Sequence, residues 1–430
     1  MSISVVVLAA GLGTRMKSNK AKVLQSLSGK AMIFHILKQA FVISDDVSVV
    51  LSHQKELIEE EICKDFKNVR FFTQDLEHYP GTAGALKGYT PKYERLLVLC
   101  GDMPLITQKS LEKMRDLQAD FGVAVFESKE PKNYGRVVLK NDEVQKIVEF
   151  KDANENERKI SICNSGVYVI KSEILAQVLP QISNQNAAKE YYLTDAIALA
   201  KNLNASVKAC FVDELEFMGV NDKFELSTAE TLMQDRIKKE LMLQGVIFHN
   251  PSSSFISCEA VFKGECEIYE HVRIEGKSVI ENSIIKSSSV IEDSVVINSD
   301  LGPLAHLRPK CELVNTHIGN FVECKNAKLK GVKAGHLSYL GDCEIDEGTN
   351  VGCGTITCNY DGLKKHKTII GKKVFIGSDT QLIAPVEIED EVIIAAGSSV
   401  SGCVPKGSLF INRAEKKIVK DFFYKKFGLQ

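Results

Sequence analysis

The chain lacks a surplus of charge of either sign, a paired-cysteine motif and a long apolar run. Its 430 residues carry 54 basic and 56 acidic side chains, a net charge of -2. So even a balance gives no electrostatic reason to expect nucleic acid or a membrane surface as partner, and points to a small ligand. Twelve cysteines are scattered without any Cys-x-x-Cys, which argues against a paired-cysteine metal or redox motif and predicts reduced, mostly buried cytosolic thiols. The longest apolar runs, such as Leu96 to Cys100, fall far short of a membrane span. Met1-Ser2 leads directly into an apolar stretch with no charged n-region or apolar h-region, so a cytoplasmic chain is expected. The length exceeds what one core supports and fits about two domains.

What is present begins at the first residues. Ile3 to Ala10 reads as a buried strand that runs into Gly11-Leu12-Gly13-Thr14-Arg15 and then Lys22. The glycines let backbone N–H groups approach an anion, and Arg15 and Lys22 place two cations where a triphosphate would lie. The spacing is not that of a Walker A loop, and Met16 stands where a dinucleotide-binding loop has its third glycine. Gly-x-Gly after a strand is also an ordinary tight turn. A second apolar strand, Leu96 to Cys100, delivers Asp102 at its carboxyl end, where open α/β sheets bind ligands and where one carboxylate plus phosphate oxygens suits magnesium. Standing alone, Asp102 would read equally as a cap for the next turn.

The hydrophobic period changes along the chain. Residues 1–221 alternate strands (Val47–Leu51, Leu96–Cys100, Gly122–Phe126, Gly166–Ile170) with amphipathic helices, which predicts an α/β domain on a mostly parallel sheet. Residues 222–245 contain no proline and place Leu226, Ala229, Leu232, Met233, Ile237 and Leu241 at helical spacing, a linker helix closed by Gly245. Residues 246–430 are different again. Ile370, Ile376, Leu382, Ile388, Ile394 and Val400 recur every six residues, with shorter ladders at Ile268, Ile274, Ile280 and at Ile285, Ile291, Ile297. A fixed hexapeptide repeat predicts an all-β parallel β-helix. The stretch Gly354–Lys367 interrupts the repeat and should project as a loop, on the functional face or as an inert excursion.

Leu8-Ala9-Ala10-Gly11-Leu12-Gly13-Thr14-Arg15-Met16 with Lys22, Gly101-Asp102, Asn164-Ser165-Gly166 and Gly219-Val220-Asn221 together resemble the sugar-nucleotide pyrophosphorylases. With the hexapeptide half included, the whole chain resembles the bacterial bifunctional family that joins an N-acetylglucosamine-1-phosphate uridyltransferase to a glucosamine-1-phosphate acetyltransferase. The resemblance implies a Rossmann-like nucleotidyltransferase domain, a left-handed β-helix, and a homotrimer held through that β-helix with acetyl-CoA sites between neighbours. It implies that Leu8, Ala9, Ala10, Gly11, Gln74, Gly81, Thr82 and Gly101 hold the uridine nucleotide. Arg15 and Lys22 would meet its phosphates, Asp102 and Asn221 would hold a magnesium ion, and Gly135, Glu149 and Asn164 would hold the sugar. Phosphoryl transfer relies on positioning and electrostatics rather than a side-chain nucleophile. The segment Asp75–Pro80 is longer than the family pattern, and Glu149 has an alternative as an exposed partner for Lys146 or Lys151.

In the second half the resemblance implies that His336 takes a proton from the amino group of glucosamine 1-phosphate as that nitrogen attacks the acetyl-CoA thioester; imidazoles suit such a base. Glu323 is expected, on chemical grounds, to orient or polarise it. Arg308 and Lys325 match positions that grip the sugar phosphate, and Tyr339 and Asn350 positions that line the sugar. Cys353, Asn359, Tyr360, Ser378, Ala396 and Arg413 match acetyl-CoA positions, with Cys353 standing where the family commonly has alanine. His249, His271, His306 and His317 lack comparable context and are expected to be solvated. The basic, aromatic tail carrying Lys416, Lys417, Lys420, Phe422, Phe423, Tyr424, Lys425 and Lys426 either packs on a neighbour or frays in solvent. The rival to a bifunctional enzyme is a single nucleotidyltransferase whose β-helix only regulates or oligomerises.

Overall fold

The structure is a computed structural model that describes residues 2–429. The chain divides into two compact units, one ending at Met233 and the other beginning at Gln234.

The first unit is built on a nine-stranded sheet. In chain order its strands are β1 (Ser4–Leu8), β2 (Asp46–Leu51), β3 (Val69–Thr73), β4 (Arg95–Cys100), β5 (Phe121–Glu127), β6 (Arg136–Lys140), β7 (Glu143–Val148), β8 (Ile162–Lys171) and β9 (Val207–Phe211). Their spatial order is β3-β2-β1-β4-β8-β5-β9-β7-β6. The pairs β3/β2, β2/β1, β1/β4 and β5/β9 are parallel. The others, β4/β8, β8/β5, β9/β7 and β7/β6, are antiparallel. The sheet is therefore mixed rather than mostly parallel, because β8 returns between β4 and β5 against both. The apolar run of β1 is explained by burial on two sides. Val5 and Val7 face Ile33, Ile36, Leu37 and Ala40 of helix Met32–Ile43, while Val6 faces the opposite core with Leu175, Val178, Ile197 and Ala200. Strand β1 lies between β2 and β4, so its carboxyl end opens where the strand order reverses, a crevice that favours ligands.

The helix read from the 222–245 pattern runs from Lys223 to Leu243. It buries Ala229, Met233 and Leu241.

The second unit is a parallel β-helix of stacked coils. Ile256, Ile274, Ile291, Leu307, Cys324 and Leu340 lie in register one above the next, and every one is fully buried. The ladder Ile370 to Val400 is likewise inside. One expected rung is wrong by a residue: Val296, not Ile297, points inward. The corner between them is a residue short, with Asp293 in the left-handed region at φ 37°, and the loss of one residue reverses which side chains of the next strand face in. Buried hydroxyls close such corners. Ser294 Oγ donates to Glu292 O at 2.7 Å and accepts from Cys311 N at 3.1 Å.

The interruption near 354–367 is also shorter than expected. Ile356–Cys358 is still a coil strand, with Thr357 buried beneath Leu382. A small side chain on a β-branched residue continues the rung, so the excursion starts only at Asn359. It is closed by the Tyr360–Lys365 bridge and ends before Thr368–Ile370. None of the twelve cysteines forms a disulfide; six are buried, three half-buried and three exposed. The tail forms a short helix, Phe422–Phe427, whose side chains are all exposed.

Candidate active sites

The crevice at the carboxyl ends of β1 and β4 opens into a cavity of about 700 Å³, a size that accommodates a nucleotide sugar. Leu8, Ala9, Ala10, Gly11, Arg15, Lys22, Gln74, Gly81, Thr82, Asp102, Glu149 and Asn221 all line it. Local geometry explains how the loop after β1 presents its cations. Gly13 has φ +62°, and a Cβ there would lie 2.7 Å from Lys22 Cβ, so only glycine lets Lys22 pack beneath the turn. Thr14–Met16 forms one turn of 3-10 helix anchored by the buried Met16, which is the use the chain makes of the position where a dinucleotide loop has glycine.

Four polar groups converge at the floor. Lys22 Nζ donates to Asp102 Oδ2 at 2.5 Å and to Asn221 Oδ1 at 3.4 Å, and Arg15 Nη2 donates to Asn221 Oδ1 at 2.8 Å. Asn221 Nδ2 donates to Gly219 O at 3.2 Å, which turns the amide oxygen toward the two cations. On one wall, Gln74 Nε2 donates to Tyr79 O and Gly81 O, both at 2.9 Å, so the long 75–80 segment is folded back onto Gln74. On the other wall, Glu149 accepts from Thr194 Oγ1 at 3.3 Å. Burial holds the Glu149 carboxyl above its ordinary range, with the Thr194 hydroxyl partly opposing. Lys146 is not its partner, being bonded to Glu157 at 2.6 Å.

Gly101, Gly135 and Asn164 stand just behind this lining. Gly101 N donates to Leu8 O, joining the ends of β1 and β4. Asn164 is buried, takes a backbone bond from its own N–H to Gly135 O at 2.8 Å, and donates from Nδ2 to Tyr168 Oη at 2.8 Å. Cys100, Leu76, Glu190 and Tyr192 also line the cavity and went unread in the sequence, since no spacing distinguishes them from neighbours. Burial pushes the Cys100 thiol up to about 12, so it stays protonated and inert.

On the β-helix, His336, Cys353, Ser378 and Ala396 occupy the same corner of four successive coils. The turn residues that follow them are bonded coil to coil: Gly354 N to Leu337 O, Asp379 N to Cys353 O, Gly397 N to Ser378 O. All four side chains are exposed, and each coil adds about 4.8 Å. Arg413 Nη2 donates to Ala396 O at 3.2 Å at the end of this column. Asn320 is paired with His336 in the coil before. Asn350 and Tyr339 are half-buried on strands next to it.

A cationic cluster lies on an adjoining face. Arg308 and Lys325 follow the stacked Leu307 and Cys324. Lys365, from the projecting loop, stands against Lys325, and its ammonium, with Arg308, holds the Lys325 amine below its ordinary range. Lys365 lies 3.9 Å from Asp342, and Asp342 Oδ2 accepts from Asn359 Nδ2 at 2.6 Å, which ties down the loop. Sequence reading missed Lys365, although the Lys364-Lys365-His366-Lys367 run advertised it. Tyr360 is exposed, its hydroxyl bonded to Gly362 O.

Glu323 is bonded to Arg308 Nη1 at 3.2 Å rather than to His336, whose ring has no hydrogen-bond partner among the described residues. The coil register explains this, since Glu323 pairs with His306 and Tyr339. His249, His306 and His317 keep side chains open to solvent, as expected, while each meets a carboxylate: His249 bonds Glu267 and His306 bonds Glu292, each at 2.6 Å, and His317 bonds Asp300 at 2.8 Å. His271 alone stays exposed without one.

Comparison with known proteins accounts for both halves together. Residues 5–186 match the family model of the MobA-like NTP transferase domain, and residues 367–402 match the bacterial transferase hexapeptide (six repeats). Over 427 residues the chain is 69% identical to the bifunctional protein GlmU of Campylobacter jejuni (serotype O:6), covering 99% of this chain and all of that one. The same protein of Campylobacter lari is 69% identical with the same coverage, and that of Nitratiruptor is 56% identical over the full length of both chains. A nucleotide-sized crevice on an α/β sheet and a hexapeptide β-helix, matched from end to end at this identity, leave one assignment: the chain belongs to the bifunctional GlmU family.

Proposed function

We propose that the chain makes UDP-N-acetylglucosamine in two steps, acetyl transfer from acetyl-CoA to glucosamine 1-phosphate on the β-helix and uridylyl transfer from UTP in the α/β unit. The product supplies peptidoglycan and lipopolysaccharide synthesis. In the second step an oxygen of the sugar phosphate attacks the α-phosphorus of UTP and pyrophosphate leaves. Arg15 and Lys22, already aimed into the cavity, neutralise phosphate charge, while Gln74, Gly81 and Thr82 hold the nucleoside side and Glu149 the sugar side. Asp102 and Asn221 both present an oxygen, one carboxylate and one amide, to the Lys22 ammonium, and the amide oxygen also meets Arg15. That donor set fits magnesium, which takes oxygen ligands from one or two side chains and completes its shell with phosphate. Bound there, the ion would neutralise negative charge on the phosphates.

For acetyl transfer, His336 removes the proton from the attacking amine, free of any internal partner that would hold its ring away. Arg308, Lys325 and Lys365 bind the sugar phosphate, and mutual repulsion among these cations is relieved when an anion arrives. The pantetheine arm of acetyl-CoA runs along the corner column Cys353, Ser378 and Ala396. The observation that carries this reading over a passive β-helix is the placing of an unpartnered histidine in the same column as these open corners, beside three clustered cations, Arg308, Lys325 and Lys365. A scaffold needs neither.

A homotrimer is supported by the same corner. Leu304, Phe321 and Leu337 stand there 46%, 57% and 59% exposed, each in the left-handed region at φ 57°, 58° and 37°. Bulky apolar side chains in that conformation cost about 1 kcal/mol or more apiece; burial against a second copy recovers it.

The test is thiol release from acetyl-CoA by the purified protein, with glucosamine 1-phosphate present or omitted and no UTP. Release that requires the amino sugar is the expected result. No release, in a protein that still converts UTP and N-acetylglucosamine 1-phosphate to the sugar nucleotide, would reduce the β-helix to a scaffold.

A further inference from the structure

Two adjoining loops line the nucleotide cavity, and the two-step scheme gives no role to the side chains that hold them together. One is the long segment after β3, which carries Gln74, Gly81 and Thr82. The other carries Glu190 and Tyr192 into the cavity and continues to Thr194, the partner of Glu149. Their backbones are stitched at two points: Tyr191 N donates to Pro80 O at 2.8 Å and Ala83 N to Tyr191 O at 2.9 Å. Beside the stitch, the rings of Tyr79 and Tyr191 lie 5.7 Å apart. Lys87 Nζ stands over both, 5.3 Å from each centroid. Lys87 makes no ion pair among the described residues, so its charge is spent on the two rings.

We propose that Lys87 is a positioning residue of the uridylyl-transfer site, clamping the nucleoside-side loop to the sugar-side loop through Tyr79 and Tyr191. The clamp reaches the ligands by short paths. Tyr79 O is one of the two acceptors that orient the Gln74 amide. Tyr191 sits between Glu190 and Tyr192, and Leu193 N donates to Thr82 Oγ1 at 3.1 Å, crossing from one loop to the other. Tyr79 lies in the segment Asp75–Pro80 that folds back onto Gln74, and a cation over its aromatic face pins that segment. Lys87 touches no reacting atom; it sets the distance between the groups that hold the two substrates. A change there should therefore weaken both substrates together without altering the chemical step.

The inference rests on the reading of this cavity as the uridylyl-transfer site. It is tested in the full-length protein by comparing wild type with Lys87→Met and Lys87→Arg for the KM of UTP, the KM of N-acetylglucosamine 1-phosphate and kcat, with acetyl transfer in the same preparations as the check on an intact chain. The methionine variant should raise both KM values by about three- to tenfold with kcat unchanged, the range such contacts supply. The arginine variant, which keeps a cation over the rings, should restore them. Unchanged KM values, a change in one substrate only, or arginine as impaired as methionine would each overturn the clamp. Should Lys87→Met lose acetyl transfer as well, Tyr79→Leu, which removes one ring and keeps the bulk, must raise both KM values or the proposal fails. A wild-type protein that does not turn over UTP overturns the site reading and the clamp with it, whereas active wild type with indifferent variants overturns the clamp alone.

Discussion

At the scale of single residues, the two sites are served by groups of opposite character. In the α/β unit, Lys22 lies 2.5 Å from Asp102, a fully engaged cation beside a carboxylate that a metal ion would share. On the β-helix, His336 is exposed and has no internal partner among the described residues. Asp102→Ala should lower pyrophosphate release by about a hundredfold or more, the scale of losing one preorganised charge, and leave acetyl transfer intact. His336→Ala should do the reverse, cutting acetyl transfer by about a hundredfold or more. Parallel assays of both variants for both activities decide this; loss of both activities in either folded variant would contradict separate sites. These residues were legible because each sits in a short run with its own chemistry. Glu323 was misread because its partner is chosen by coil register: the neighbour of His336 in the preceding coil is Asn320, and Glu323 is left to Arg308.

At the scale of elements, the coils near His336 depend on one close approach. A Cβ on Gly319 would collide with the carbonyl oxygen of Gly335, in the strand that ends at His336. Gly319→Ala should destabilise the β-helix by about 1–3 kcal/mol, as overpacking does, and depress acetyl transfer while sparing uridylyl transfer; thermal unfolding and both assays report this. In the α/β unit, Asp120 joins three elements. Its carboxylate accepts from Lys171 and from the N–H and hydroxyl of Ser206, and these bonds, Lys171 first, hold its pKa down to about 2 from 3.8. A depressed carboxyl stabilises the fold above 3.8 and loses that contribution as pH falls toward 2. Urea midpoints of wild type should therefore fall through this window more steeply than those of Asp120→Asn; equal slopes would remove Asp120 as a cause. The same scale shows what the sequence revealed. Strands buried on both sides and the six-residue ladders stood out as unbroken apolar signals. The antiparallel return of β8 did not, because a doubly buried strand carries no mark of its direction. Nor did the slip from Ile297 to Val296, since a shortened corner is a loss of one residue amid a pattern that tolerates either side chain.

At the scale of the whole molecule, the groups proposed for the two reactions lie in different units. The cavity of the first is lined by residues before Asp222, and the histidine column and cation cluster of the second by residues after Pro303. The only thing the two reactions share is a small molecule, N-acetylglucosamine 1-phosphate, made by one and consumed by the other. If that molecule is released into solution between steps, the two activities need not reside on the same polypeptide. A mixture of the Asp102→Ala and His336→Ala proteins, supplied with glucosamine 1-phosphate, acetyl-CoA and UTP, should therefore form UDP-N-acetylglucosamine far faster than either variant alone. Product should appear after a lag while the intermediate accumulates to the level the uridylyl-transfer site requires. Adding N-acetylglucosamine 1-phosphate at the start should abolish the lag, because it supplies by mass what the first site supplies by catalysis. A mixture that forms no product, while each variant retains its surviving activity in separate assays, would show that the intermediate never leaves the chain that makes it.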